Sequence, residues 1–574
     1  MITIVKDGAA QASIIVEQEP TAWFAAEELQ TYLFKISGCK LPIKSEFEIE
    51  GQTCLFVGSV RWCKHHASCD IDSDSLRYDG FILQSFEQGL IMTSRAGRGI
   101  LYAVYALLER IGCRWFFAGE LGEVIPSLQD IRVEELNLLD NPDFEYRGLT
   151  EDACKSSIAS WCEEMKETID WCGKNKINSF HIHWSPASPL EGIDEVVREI
   201  KKRGMRYECG GHGGELLLDR EWFEHKPHLF REKAGIRVRD GNLCASNEEG
   251  IERLVKGARE VMVKHPEIDL LHMWFADVSG GSWCECGSCK DIHPATQQLK
   301  VINRIGEGLR QLRPELEIDM PLYHDTVDLN NMTCDPGSNV YGFFAGRERC
   351  YAHSMSDDSC QLNQWYNRML EEAYVKFRGN LCVYGYYADM ILFAKLKINI
   401  PHIISDDLKH YRKKGIHKVA ALMFGKYSWR VYPTNLFVFG KMAWNTNFRY
   451  SEGLEEMYER CFPEISNVMM EYQQLIERAS YGLLTFCGYS DSTGELSHIP
   501  SQPHEFRLKH IEQMARSLRL YRQGFSLLEE HMDTCVGKAG KLLVEEKNIL
   551  LITIKEAEAI YNRISNFESG GVWR

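Results

Sequence analysis

The residues best able to do chemistry sit in one stretch, Asp269–Asp291, which reads DLLHMWFADVSGGSWCECGSCKD. The apolar run Leu270–Phe275 reads as a fully buried strand. It delivers Asp277 to a Ser-Gly-Gly turn, where the strand signal stops. Trp283 and three thiols follow, Cys284, Cys286 and Cys289. A carboxylate at the end of a buried strand is how an α/β barrel presents a catalytic group. The thiols suit a metal. With Cys244 from the preceding strand–helix loop they would supply four thiolates, a closed structural zinc site with no open position for catalysis. The Cys-x-Cys spacing is tighter than in common zinc motifs, and free structural thiols are the competing reading.

Other polar residues recur at the ends of apolar runs: Arg147, His181 and His183, Glu208 with His212, His324 with Asp325, Arg347, Glu348 and Arg349 with His353, Tyr387 with Asp389, and Trp429. That collection suits a sugar. Aromatic faces stack on pyranose C–H surfaces, while Arg, His and carboxylates bracket hydroxyls. Glycosidic cleavage needs one group to protonate the leaving oxygen and another to stabilise positive charge at the anomeric carbon. Blander roles compete: a strand-end His is often a satisfied structural residue, and Arg347–Arg349 could be a surface ion-pair cluster.

The elements that must position these groups lie between residues 143 and about 446. Strand-like runs occur at Phe144–Leu149, Ser179–Trp184, Arg206–Gly210, Leu270–Asp277, Ile318–His324, Val340–Ala345, Leu381–Tyr387 and Val419–Phe424. Helical patterns alternate with them, as at Ser160–Asn175, Asp194–Arg203, Ile251–Lys264 and Gln361–Lys376. Eight strands with intervening helices predict an α/β fold, a central (β/α)8 TIM barrel over residues 141–448. Residues 1–140 read as an α+β domain, with helices at Thr21–Ser37 and Arg98–Ile111. Residues 449–574 read as an α-helical C-terminal domain, including a helix from Pro503 to Tyr521.

Composition bounds the partners. With 574 residues the chain is too long for one core. Apolar and charged fractions of 44% and 26% are those of a soluble globular protein. A net charge of −16 argues against nucleic acid or an anionic membrane as partner. The N-terminal MITIVKDGAA carries no export pattern, and no run of about 18 apolar residues could span a bilayer. The 20 cysteines, scattered and without an export signal, read as free thiols in a reducing compartment, so a cytoplasmic location is expected. The helical domain leaves room for a homodimer interface.

Within residues 1–140, FAAEELQTYLFKISG, LFVGS, RAGRGILYAVYALLERIGCRWF and GEVIP occur in order. They resemble the N-terminal domain shared by family 20 β-hexosaminidases and family 67 α-glucuronidases. The resemblance implies a barrel glycosidase downstream and no chemistry in this domain itself.

In the barrel, NKINSFHIHW, Tyr146-Arg147-Gly148 and Gly211-His212 resemble strand motifs of family 20. The closest likeness is to the barrel called domain of unknown function 4838, some of whose members are family 163 endo-β-N-acetylglucosaminidases. It rests on Leu243-Cys244, the Asp before Gly-Gly-x-Trp-Cys-x-Cys-x-x-Cys, Tyr-His-Asp-Thr at 323–326 and Arg-x-Arg-Cys-Tyr-x-His at 347–353. Two departures matter. Val278 stands where family 20 keeps its acidic Glu, and Gly385 stands where relatives often carry Glu.

The resemblance implies hydrolysis of a β-linked N-acetylhexosaminide with the substrate acetamide as internal nucleophile and no catalytic cofactor. Asp277 would orient the acetamide and Glu348 would protonate the leaving group, with Asp389 or Asp325 as alternative acids. Arg147, His183, His212, His324, Arg347, Tyr387, Asp389 and Trp429 would line the sugar subsites. A family 67-like α-glucuronidase, with Arg347 and Arg349 holding the uronate, is the alternative. The missing carboxylates at Val278 and Gly385 motivate a third reading, a non-catalytic carbohydrate-binding protein.

Overall fold

The computed structural model describes residues 1–45, 53–95, 97–152, 158–185, 190–212, 218–280, 282–484 and 504–566. Gly281 of the Ser-Gly-Gly turn and Pro503, the expected start of a helix, lie outside them. At the centre is a parallel barrel of eight strands: β1 Tyr146–Asp152, β2 Ser179–His183, β3 Arg206–His212, β4 Leu270–Trp274, β5 Ile318–Leu322, β6 Val340–Phe344, β7 Leu381–Gly385 and β8 Lys418–Met423. Backbone ladders run in the order β4-β3-β2-β1-β8-β7-β6-β5. Between β4 and β5 side chains make the closure: Trp274 Nε1 donates to Asp319 Oδ2 at 2.6 Å, and His272 Nδ1 lies 3.0 Å from Asp319 Oδ1.

Helices cover the outside and explain why the strands are apolar on both faces. They include Ile158–Lys174, Ile193–Lys202, Glu248–Lys264, Pro294–Leu312, Gln361–Lys376, Pro401–Lys413 and Pro433–Trp444. Ile193–Lys202 shows the pattern, burying Val196, Val197 and Ile200 on one face and exposing its charges on the other. One crossover departs from the repeat. The chain from β5 to β6 holds a short 3₁₀ turn, His324–Thr326, and no α-helix.

The N-terminal domain is a six-stranded mixed sheet with helices Pro20–Ser37 and Gly97–Ile111 packed against it. It closes the N-terminal end of the barrel. Buried Asp79 Oδ2 accepts from Arg98 Nε (2.8 Å), Arg147 Nη2 (2.8 Å) and Asn178 Nδ2 (2.9 Å). Burial alone would raise this carboxyl, but the Arg147 and Arg98 charges outweigh it and hold it below the ordinary range. The C-terminal helices Tyr450–Cys461, Ser466–Leu484, His504–Glu530 and Gly537–Asn566 pack on the segment between β7 and β8. There Lys397 Nζ pairs with Glu546 Oε1 at 2.7 Å, and Tyr521 donates to Lys397 O at 2.7 Å. Among the described residues no helix is long and apolar enough to cross a membrane.

Candidate active site

The C-terminal ends of β3 to β6 bring four predicted residues together. His324 is the hub. Its Nδ1 lies 2.8 Å from Glu348 Oε1 and its Nε2 3.6 Å from Asp277 Oδ1. His212 Nε2 approaches the same Asp277 oxygen at 3.8 Å. His324 has a φ of 51°, the left-handed region that non-glycine residues avoid. Such strain persists only where the surroundings hold it, and here it turns the imidazole between the two carboxylates.

Hydrogen bonds decide the tautomers of the neighbouring rings. His212 Nδ1 lies 2.7 Å from Phe275 O, an acceptor only, so Nδ1 carries the proton and Nε2 faces Asp277. His183 Nε2 accepts from the His212 backbone N–H at 3.1 Å, which leaves its Nδ1 toward Asp152 Oδ1, 3.7 Å away. Gly211 makes this approach possible. A Cβ there would fall 1.9 Å from His183 Cδ2, and its φ of 135° suits glycine.

The charges interlock. Burial alone would lower the His324 imidazole, but hydrogen bonds to Asp277 and Glu348 outweigh it and push it up to about 9. Burial would raise Asp277 and Glu348, but the hydrogen bonds and charge of His324 hold both below the ordinary carboxylate range, His212 adding to the effect on Asp277 and Arg347 to that on Glu348. His212 itself is lowered, burial outweighing Asp277. At neutral pH the free site is carboxylate, imidazolium, carboxylate.

Neighbours fix these groups. Asp325 accepts from Gly280 N through both oxygens (2.9 and 3.0 Å) and from Trp283 Nε1 (3.1 Å), so it pins the turn that carries Asp277. Tyr366 donates to Glu348 Oε2 at 3.3 Å. Arg347 Nε faces Asp389 Oδ2 at 3.3 Å, and its guanidinium lies over the Tyr386 ring. Buried Asp389 also caps Ile391 N and Leu392 N, so it positions Arg347 and is not a sugar contact.

Three further expected sugar contacts are corrected. Arg147 is fully buried at the opposite end of the barrel, donating to Lys176 O, Phe144 O and Asp79. It is the second residue of β1, with its side chain on the outer face. Tyr387 is buried, donates to Asp407 Oδ2 at 3.0 Å, and stands beside the Arg349–Asp407 ion pair. The inward neighbour is Tyr386. Trp429 lies outside the barrel, its Nε1 on Thr168 Oγ1 at 3.0 Å and its ring against Trp171. It lines a cavity of about 390 Å³ among barrel helix, C-terminal helices and the Phe117–Leu121 segment. At the mouth a recess of about 20 Å³ lies beside His212, Tyr323 and His324. The larger volume and the paired carboxylates do not coincide, and the chemistry favours the mouth.

Sequence reasoning missed Tyr323, Tyr386 and a charged layer inside the barrel. Glu208 is not at a strand end. It accepts from Tyr146 OH (2.9 Å) and Ser179 Oγ (2.7 Å) and faces His272 Nε2 at 3.0 Å. Burial would raise Glu208, but the His272 hydrogen bond and the Arg206 charge hold it down to about 2. Burial would lower His272, but Asp319 and Glu208 push it up to about 9. The signal was only His272 inside an apolar run. On the outer face of β1, burial pushes Glu151 up to about 8; it accepts from Gly425 N and points away from the mouth.

Among the described residues two groups of side chains converge as metal ligands would. The sulfurs of Cys244, Cys284, Cys286 and Cys289 all lie within 4.8 Å of one another, and Cys350, His353 and Cys360 form a smaller set.

Residues 117–472 match the family described as domain of unknown function (DUF4838), well over half of the chain. The chain belongs to the DUF4838 family. Ahead of the DUF4838 match, residues 5–107 match the glycosyl hydrolase family 67 N-terminus. A β-hexosaminidase of Porphyromonas gingivalis is 28% identical over 136 residues, 24% of this chain and 16% of that protein. This DUF4838 chain thus spans about a sixth of the curated relative it matches. Among solved structures, a family GH115 4-O-methyl-α-glucuronidase with specificity for decorated arabinogalactans superposes with a TM-score of 0.69 at 13% identity, covering 98% of this chain and 73% of that one. A GH138 enzyme targeting pectin rhamnogalacturonan II gives 0.63 at 11% identity, covering 96% and 69%. At those identities the likeness shows the shared fold.

Proposed function

We propose that this protein is a glycoside hydrolase that cleaves a β-linked N-acetylhexosaminide, with the substrate acetamide as internal nucleophile. The observation that carries the reading is the Asp277–His324–Glu348 array at the barrel mouth. Asp277 accepts the acetamide N–H and turns the acetamide oxygen toward the anomeric carbon. As that oxygen attacks, the glycosidic C–O bond breaks and the leaving oxygen takes a proton. The proton starts on His324 Nδ1, 2.8 Å from Glu348 Oε1, and passes through Glu348 to the leaving oxygen, which leaves His324 neutral and Glu348 a carboxylate. Water then opens the cyclic intermediate at the anomeric carbon, and its proton passes through Glu348 back to His324. The matches to a β-hexosaminidase and to a glycosidase N-terminal domain support this class.

An α-glucuronidase reading has less support. Arg349, one of its two expected uronate ligands, is buried against Asp407, and Arg347 already faces Asp389. The test is hydrolysis of aryl β-N-acetylglucosaminide, a chitobiose-containing oligosaccharide and an aryl α-glucuronide. Hexosamine release that drops roughly 10²-fold or more in Asp277→Asn is expected. Turnover indifferent to that substitution removes Asp277 from the reaction, and glucuronate release alone transfers the protein to the other class.

A further inference from the structure

Among the described residues the four cysteines are the larger of the two groups placed as metal ligands would be, and the proposed reaction leaves them unused. Cys244, Cys284, Cys286 and Cys289 are 3%, 1%, 7% and 0% exposed, and none is in a disulfide. Cys244 Sγ lies 3.7 Å from Cys286 Sγ and 3.9 Å from Cys289 Sγ. Four sulfurs around one zinc at about 2.3 Å stand about 3.8 Å apart along the edges of the tetrahedron. A disulfide needs about 2.0 Å. The separations are those of a shared ion.

The surroundings fit a negatively charged tetrathiolate. The Glu232 N–H reaches Cys284 Sγ at 3.3 Å, and Arg237 Nη1 reaches it at 3.7 Å. Neutral thiols packed as small hydrophobes require no such donors. Around a metal they offset ligand charge and fix orientation. The scaffold is also built for it. Cys286 O accepts from the N–H groups of Cys289 and Lys290 (2.8 and 2.9 Å), a tight turn that aims both thiols inward. Gln297 clamps the turn, accepting from Cys284 N and donating to the carbonyls of Cys284, Cys289 and Ile292.

We propose that these four cysteines bind one structural zinc ion that ties the chain after β3 to the chain after β4 and thereby positions Asp277. The route is short. Two residues before Cys244, Asn242 Oδ1 accepts from Ala276 N at 2.8 Å, beside Asp277, and Asn242 N donates to Ser282 O at 3.1 Å. On the other side Trp283, next to Cys284, is held by Asp325. Loss of the ion frees both ends of the Asp277 turn. With four thiolate ligands the ion keeps no open position for substrate or water. The positioning clause rests on the proposed role of Asp277; the metal site itself does not.

Elemental analysis of the full chain, as purified and after reconstitution with zinc, tests the site. About one equivalent is expected, absent from Cys286→Ser/Cys289→Ser and retained in Cys350→Ser, which disrupts the Cys350–His353–Cys360 set. Cobalt loaded into wild-type protein should show the intense thiolate charge-transfer and tetrahedral d–d bands of a four-sulfur site, which needs no folded variant. Less than about half an equivalent after reconstitution, or metal lost from Cys350→Ser but kept in the double variant, overturns the assignment. With zinc bound, removal should raise KM and lower kcat together and be reversed by zinc alone; an ion that leaves both unchanged ends the positioning role while the site stands.

Discussion

His324 holds the charge on which both carboxylates at the barrel mouth depend, so it sets the pH behaviour. Its folded value is about 9, above the ordinary 6.5. The imidazolium is therefore stabilising below about pH 6.5, and that contribution is lost as pH rises through about 9. Asp277 and Glu348 are shifted the other way, so their contribution is present above the ordinary carboxylate range and lost as pH falls through their lowered values. If His324 supplies the proton, kcat/KM should decline on an alkaline limb near pH 9. His324→Asn should lower kcat roughly 10²-fold or more and abolish that limb. A pH–rate profile unchanged in shape would assign the proton to another group. Glu348→Gln should lose about 10²–10⁴ in kcat on a poor leaving group and far less on dinitrophenol, which departs without protonation. Equal losses on both would count against Glu348 as the acid.

At the scale of elements, the turn after β4 and the end of β7 decide where side chains point. Asp325 joins the turn carrying Asp277 to the 3₁₀ turn carrying His324. Asp325→Ala should lower kcat/KM roughly tenfold through the loss of charge-assisted hydrogen bonds, with a small change in melting temperature. Asp325→Asn, which keeps an acceptor, should recover part of it; equal losses in the two would deny the bracing role. Gly385 explains a departure from relatives. A Cβ there would lie 2.2 Å from Tyr387 Cε2, so the ring that reaches Asp407 occupies the space of a side chain. Gly385→Glu should therefore destabilise by about 1–3 kcal/mol and not restore a catalytic carboxylate. Chemical denaturation measures it, and wild-type stability would show that Tyr387 has room to move.

At the scale of the molecule, the three regions are joined away from the mouth. Asp79 gathers Arg98 of its own domain with Arg147 and Asn178 of the barrel. Asp79→Ala leaves the Arg147 guanidinium buried without its carboxylate and should cost about 3–5 kcal/mol, seen as a lower or split melting transition. Well below that transition kcat should hold, since the contact closes the end of the barrel opposite the carboxylates. A selective loss of kcat with unchanged melting would mean that the N-terminal domain takes part in the reaction.

The sequence by itself determined the architecture. Strands covered by helices are buried on both faces, so they appear as eight apolar runs at crossover spacing whatever their exact ends. It also showed Asp277, His324 and Glu348 at the ends of those runs, because a strand end is marked by where the apolar run stops. Tertiary structure decided facing and partnership. Side chains alternate along a strand, so a shift of one residue exchanges Tyr146 for Arg147 and Tyr386 for Tyr387, and no local pattern says which neighbour turns inward. His272 and Asp319 sit in runs that read as apolar because each charge is neutralised by a partner from another strand. Trp429, at a strand end in sequence, turns outward because the helix Gly425–Val431 carries it against Trp171 and Thr168. Pairings of this kind join residues dozens to hundreds of positions apart, and only the closed barrel brings them within hydrogen-bonding distance.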